Sequence, residues 1–174
     1  MRRGKAKLLT ALGAVGLSVI AVSGGLAWAN GASNGGEVHF YEADAALSGN
    51  FGTVVLTGAV TDHGVDHQGV AGGGVINKLV LSKGSFEINV GGFGDTLDFP
   101  VNPKTCSSDG SATAQVPIVD GTGTGAYKGI SGTLDATVST ASIVPRLANR
   151  DCNTNATRYP GVLIASGTGT VSYK

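Results

Sequence analysis

The stretch from Val75 to Val90 constrains the fold more than any other part of the chain. In its second arm Phe86, Ile88 and Val90 alternate with Ser85, Glu87 and Asn89. Successive side chains of a strand point to opposite faces, so this alternation describes one buried face and one wet face. Lys83-Gly84 separates that arm from Val75–Ser82. Two residues, one of them a Gly able to take positive φ, are what a tight hairpin turn needs.

The same signals recur along the chain. Val38 and Phe40 share a face in a strand from Glu37 to Ala45, and a turn at Ser48-Gly49-Asn50 leads to a strand rich in β-branched residues, Gly52–Thr61. Asp62 to Gly74 contains five Gly and reads as a loop. Residues 91–110 read as irregular. Thr113–Val119 is a short strand that Pro117 demotes toward an edge, because Pro cannot donate to a ladder. Thr124–Tyr127 follows, then Gly132–Ser142, where Leu134, Ala136 and Val138 alternate with Thr133, Asp135, Thr137 and Ser139. Residues 144–160 form a polar excursion, and Val162–Tyr173 is the closing strand. Beyond the first 29 residues no window has helical periodicity. The expectation is an all-β domain of about eight short strands, a choice between sandwich and barrel. The strand count and the Gly-marked bends favour a single eight-stranded antiparallel barrel, in which closure leaves no exposed edge.

The N-terminal segment reads differently. Arg2, Arg3, Lys5 and Lys7 precede an uncharged apolar stretch from Leu8 to Val22, which Ser23-Gly24-Gly25 interrupts before Ala27-Trp28-Ala29. That order predicts a secretory signal peptide over residues 1–29, cut after Ala29, and a secreted protein whose signal is bacterial in style. Leu8–Ala29 also has the length of an uncleaved anchor, but the Gly pair and the small residues at the cut favour cleavage. Residues 30–36 are then a flexible lead-in and 37–174 the β domain. No other apolar run is long enough to span a membrane. Four of the 12 Lys and Arg belong to the signal, leaving 8 basic against 12 acidic side chains. A chain of that balance, with no basic stretch, does not bind nucleic acid through its phosphates.

The two cysteines, Cys106 and Cys152, lie in the β domain. Outside the cell an even pair favours a disulfide, with a ceiling of about 4 kcal/mol from loop-closure entropy. A metal pair or a catalytic thiol are the rival readings, and no His or Cys neighbours either residue in sequence to support them.

Two segments invite a chemical reading. GTGTGAYKGISGT, Gly121 to Thr133, holds Gly121, Gly123, Gly125, Tyr127, Gly129 and Gly132. A phosphate cradle needs a helix to begin at such glycines. Strands flank them here, so the segment reads as a tight strand–bend–strand. Asp62-His63-Gly-Val-Asp66-His67 offers His63, Asp66 and His67 as nitrogen and oxygen ligands for zinc or copper, with His39 a more distant ligand if the fold delivers it. Its plainer reading is a polar loop at a barrel rim. Glu42, Asp44, Glu87, Asp95, Asp98 and Asp135 are carboxylates that acid–base work or solvated faces would explain equally. No Ser stands in a nucleophile-elbow context, no cofactor is implied, and no cluster amounts to a catalytic signature.

The string GTGAYKGISGT, with Tyr127 and Ile130 between glycines, resembles the bacterial secreted relatives of the allene oxide cyclase and dirigent barrels. The export signal, a Cys before and after the string, and the strand-final ending extend the resemblance in layout over residues 37–174. It implies an eight-stranded barrel with an apolar interior, and homo-oligomers are compatible with such barrels. The plant cyclases and the dirigent proteins work largely by holding a reactive substrate in one conformation. Their catalytic residues match no positions here. Three functions follow as expectations: an exported barrel that binds a small apolar ligand or a surface partner, a cyclase or isomerase of the positioning type acting on a secreted lipid or phenolic metabolite, or a structural cell-surface protein. A cavity with one or two polar side chains at its base would favour the enzyme, and a solid interior would leave only the structural role.

Overall fold

The computed structural model describes residues 35–45, 51–97, 99–156 and 161–174. The expected export segment 1–29 and residues 30–34 of the lead-in lie outside the described residues, as does Asp98. Among the described residues there are eight strands: β1 (Gly35–Asp44), β2 (Phe51–Gly58), β3 (Asp62–Ala71), β4 (Ile76–Leu81), β5 (Gly84–Asn89), β6 (Ser107–Pro117), β7 (Ile130–Ile143) and β8 (Gly161–Tyr173). They form one antiparallel sheet in the order β5-β4-β3-β2-β1-β8-β7-β6, curled into a half-barrel. No described helix is long and apolar enough to cross a membrane.

The hairpin of β4 and β5 pairs as its alternation requires, Leu79 opposite Phe86 and Asn77 opposite Ile88. Elsewhere the elements differ from expectation. Asp62–Gly74, read as a loop, is mostly β3, paired with β2 through Val55–His63 and with β4 through Val65–Val80. Its inward positions are Asp62, Gly64 and Asp66, so the apolar half of the alternation is missing while the backbone ladder is intact. β6 starts six residues before the expected Thr113. Its inner face begins with Gly110, Ala112 and Ala114, too small to register as an apolar stripe. Gly35 and Gly36 of the expected lead-in pair with Ser172 and Val171.

The inner face buries Val38, Phe40, Val54, Leu56, Leu79, Phe86, Ile88, Leu134 and Val171 in one cluster. Because β5 and β6 end the strand order, the curl leaves two edges, and these meet at one corner through Ile88 opposite Ile118. Past that point the chain from Val119 to Ala126 runs along the free edge of β5. Val119 N donates to Glu87 O at 2.8 Å and Thr124 N to Ser85 O at 2.8 Å. The Oγ1 atoms of Thr122 and Thr124 accept from the amides of Glu87 and Ser85, where a neighbouring strand would offer carbonyls. The expected strand Thr124–Tyr127 is thus a strap that ends in a 3-10 turn, Gly125–Tyr127. Gly125 has φ 58, and a Cβ on it would lie 2.3 Å from Lys83 O, so only Gly permits the strap to lie this close. On the far side of Ile88 the 3-10 segment Gly91–Leu97 packs against β6 and tucks Phe93 into the interior.

The Cys106–Cys152 disulfide ties the start of β6 to the connection between β7 and β8, with Cα atoms 5.3 Å apart and 46 residues of chain between.

Candidate functional site

The curled sheet is filled at one end and hollow at the other. At the filled end Tyr127 lies edge-on to Phe86, with ring centroids 5.5 Å apart, and its hydroxyl donates to Asp62 Oδ2. Asp62 also accepts from the hydroxyl of Ser82 and from the amides of His63 and Lys83, at 2.8 and 3.0 Å. Burial alone would raise this carboxyl, but the four donors outweigh it and hold it well below the usual carboxylate range. Burial and the Asp62 charge together push the Tyr127 hydroxyl far up. Asp62 therefore stays ionised and Tyr127 stays neutral, and the cluster ties the start of β3 to the turn after β4 and to the strap.

At the other end lies a cavity of about 300 Å³. Its apolar walls come from Phe40 of β1, Ile88 and Val90 beside β5, Phe93 and Leu97 of the 3-10 segment, Val116 of β6, Leu134 and Val138 of β7 and Leu163 of β8. Ala136 and Ala165 make room for it. Its polar wall is Glu42, Gln68 and Asn77, and Gly69 near the end of β3 and Gly74 of the β3–β4 turn stand at its border. The volume is at the lower end for small-molecule pockets, which run from roughly 300 Å³.

The polar wall is organised around two carboxyls. Glu42 follows Val38 and Phe40 on the inner face of β1, and Asp66 sits two strands away on β3, fully buried. Asn77 Nδ2 donates to Asp66 Oδ2 at 2.7 Å, and Gln68 Nε2 to Glu42 Oε1 at 3.2 Å. Asn77 Oδ1 in turn accepts from Gly69 N at 3.0 Å, joining the carboxyls to the end of β3 at the mouth. No N–H or hydroxyl donor reaches Asp66 Oδ1, and the group beside it is the Glu42 carboxyl. A proton shared between the two carboxyls would satisfy that oxygen. Burial first, and the Glu42 charge next, push Asp66 up to about 8. Burial likewise raises Glu42, with the nearby Asp44 charge adding to it. Two carboxylates this deep cannot both ionise without a cation. Gly52 makes the arrangement sterically feasible, since a Cβ there would lie 2.2 Å from Glu42 Oε1.

The residues singled out from sequence are distributed as follows. His63 and His67 point to the outer face of β3 while Asp66 points inward, so the pleat separates the three expected metal ligands. The two imidazoles stand four residues apart on one strand, roughly 13 Å. His39 is on the outer face of β1, with β2 intervening. Among the described residues no three His, Cys, Asp or Glu side chains gather as a metal site. Gly121, Gly123, Gly125 and Tyr127 belong to the strap and its 3-10 turn, Gly129 leads into β7, and Gly132 lies within β7 opposite Val171. Asp135 is exposed and Glu87 half-buried. The pairing of Glu42 with Asp66 was not foreseen. Its signal was present, because Glu42 and Asp44 extend the alternation of Val38 and Phe40 and so had to be inward.

Comparisons with protein-family models, with curated proteins and with solved structures return no match. The geometry of the cavity is therefore the main guide to function.

Proposed function

We propose that this is an exported β-barrel protein, with a fold of the allene oxide cyclase and dirigent kind, that holds one small and mostly apolar molecule. The observation that carries the reading is the cavity, about 300 Å³, with hydrogen-bonding side chains confined to one wall. A barrel of eight strands is either filled by its own side chains or just wide enough for one small ligand, and this interior is unfilled at one end. Export is supported by the basic, apolar and small-residue order of residues 1–29 and by a disulfide, a bond that persists in oxidising compartments.

The test is native mass spectrometry of the protein recovered from its own culture medium, alongside an Ala136→Leu variant. Ala136 lines the cavity and is almost wholly buried, so a Leu side chain there occupies the space. The expected result is a retained small molecule on the wild type and none on the variant. Retention of the same molecule by both, or failure of the wild type to take up any apolar compound, refutes the reading.

A second reading, turnover by a cyclase or isomerase that works through positioning, is favoured by one feature. The cavity is not uniformly apolar: Glu42 faces into it, backed by an Asp66 that holds a proton near neutral pH. Chromatography of the retained molecule before and after incubation with the protein separates binding from isomerisation.

A further inference from the structure

The chemistry of the polar wall narrows the ligand class, on the assumption that the cavity is a ligand site as proposed above. Among the described residues Glu42 is the one ionisable side chain lining it, and no described Lys, Arg or His lines it. The groups that bear on Glu42 are Asp66 from β3, Asp44 from β1 and the amide of Gln68, while the Asn77 amide bears on Asp66. Asp62, also inward on β3, is four residues away at the filled end and committed to Tyr127, Ser82 and the turn amides. β8 carries no charged side chain. A Glu42–Asp66 pair that shares one proton carries one net negative charge, and among the described residues its polar neighbours at the cavity are the neutral amides of Gln68 and Asn77.

A buried charge without a counter-charge is costly. An anionic ligand makes this worse, and a neutral one leaves it as it was. A ligand bearing an ammonium group supplies the missing charge at Glu42. The aromatic faces of Phe40 and Phe93, which share the cavity, also attract a cation. Asp66 is fully buried and does not line the cavity, so a ligand meets Glu42 and not Asp66. We propose that the cavity binds small apolar amines in their protonated form, the alkyl or aryl body against Phe40, Phe93, Leu134 and Val138 and the ammonium group against Glu42.

The experiment is isothermal titration calorimetry of the full exported protein with three probes of one shape: n-octylamine, n-octanol and sodium octanoate, each at pH 5 and pH 8. The expected result is tightest binding of octylamine at pH 8, at least tenfold over octanol, with octanoate weakest. Octylamine affinity falls from pH 8 to pH 5, as the buried carboxyls take up protons, while octanol affinity changes little. Glu42→Gln removes the preference for octylamine over octanol. The pH comparison on the wild type stands even if that variant does not fold. Octanol or octanoate binding as tightly as octylamine at pH 8, or an octylamine affinity indifferent to pH, overturns the amine assignment and leaves the cavity reading intact. Failure of all three probes overturns both.

Discussion

Tyr127→Phe removes one oxygen and tests how the filled end of the sheet is held together. The ring stays in place against Phe86, and only the hydroxyl that donates to Asp62 Oδ2 is lost. A hydrogen bond to a charged group contributes roughly 1.5–3 kcal/mol. Asp62 keeps its bonds from Ser82, His63 and Lys83, so the carboxylate is weakened and not orphaned. The expected loss is then about 2 kcal/mol at pH 7, or roughly 6 °C in Tm for a domain of this size. The pH dependence identifies the cause. Asp62 has a folded pKa below its unfolded value of about 3.9, so its stabilisation is present above that pH and is lost as pH falls through the folded pKa. Tyr127 has a folded pKa above its unfolded value of about 10, so its contribution is full below that pH and is lost as pH rises. Three donors still hold the variant's Asp62 low, so it stays ionised in both folded proteins at pH 4, and the difference should be level from there to about pH 9. Above about pH 10 only the unfolded Tyr127 ionises, and the difference should shrink. Urea denaturation at pH 4, 7 and 11 reads it directly. A loss under about 0.5 kcal/mol at pH 7, or an equal loss at pH 7 and pH 11, would mean that the hydroxyl is not bonded to an ionised Asp62.

The carboxyl pair at the hollow end predicts the opposite slope. Asp66 is pushed up to about 8 in the folded protein against about 3.9 unfolded. Below pH 4 both states hold the proton, and between there and pH 8 only the unfolded state ionises. Stability should therefore fall as pH rises across that window, by up to about 1.4 kcal/mol per unit, and Asp66→Asn should flatten the curve; parallel curves for the two proteins would exclude a protonated Asp66. Replacing both cysteines by Ser, Cys106→Ser with Cys152→Ser, should cost up to about 4 kcal/mol in urea denaturation, the entropy of the 46-residue span. Loss of less than about 1 kcal/mol would indicate that the polar connection to β8 is ordered without the bond.

How much of this was legible depended on which face of a strand carried the message. The β4–β5 hairpin was plain because its inward residues are Leu79, Leu81, Phe86 and Ile88, and β7 was plain for the same reason. β3 was not, because Asp62, Gly64 and Asp66 occupy its inward positions and its outward Val65 is exposed. A reader of hydrophobic periodicity sees no strand there, yet the ladder to β2 and β4 needs only backbone groups. Edge closure was legible only in part. Counting strands and glycines points toward a barrel, but the edges of β5 and β6 meet through Ile88 and Ile118 and the side chains of Thr122 and Thr124. Side-chain oxygens standing in for a neighbouring strand leave no trace in alternation.

The site was obscured by the same blind spot. Asp62-His63-Gly-Val-Asp66-His67 draws attention to its imidazoles because ligand types cluster there in sequence. Strand parity disperses them, sending both imidazoles outward and both carboxylates inward. Once β3 is a strand, the question becomes what faces Asp62 and Asp66 across the interior, and each answer lies far off in sequence: Tyr127 for the first, Glu42 for the second. The two aspartates are four residues apart on one face yet are driven in opposite directions. Asp62 meets four donors and stays charged; Asp66 meets another carboxyl and keeps a proton. That contrast separates their roles. A carboxylate saturated with donors from its own chain has nothing left to offer a ligand and serves to lock the filled end. A carboxyl pair short of positive charge, beside an apolar cavity, is the feature on which the proposed ligand site rests.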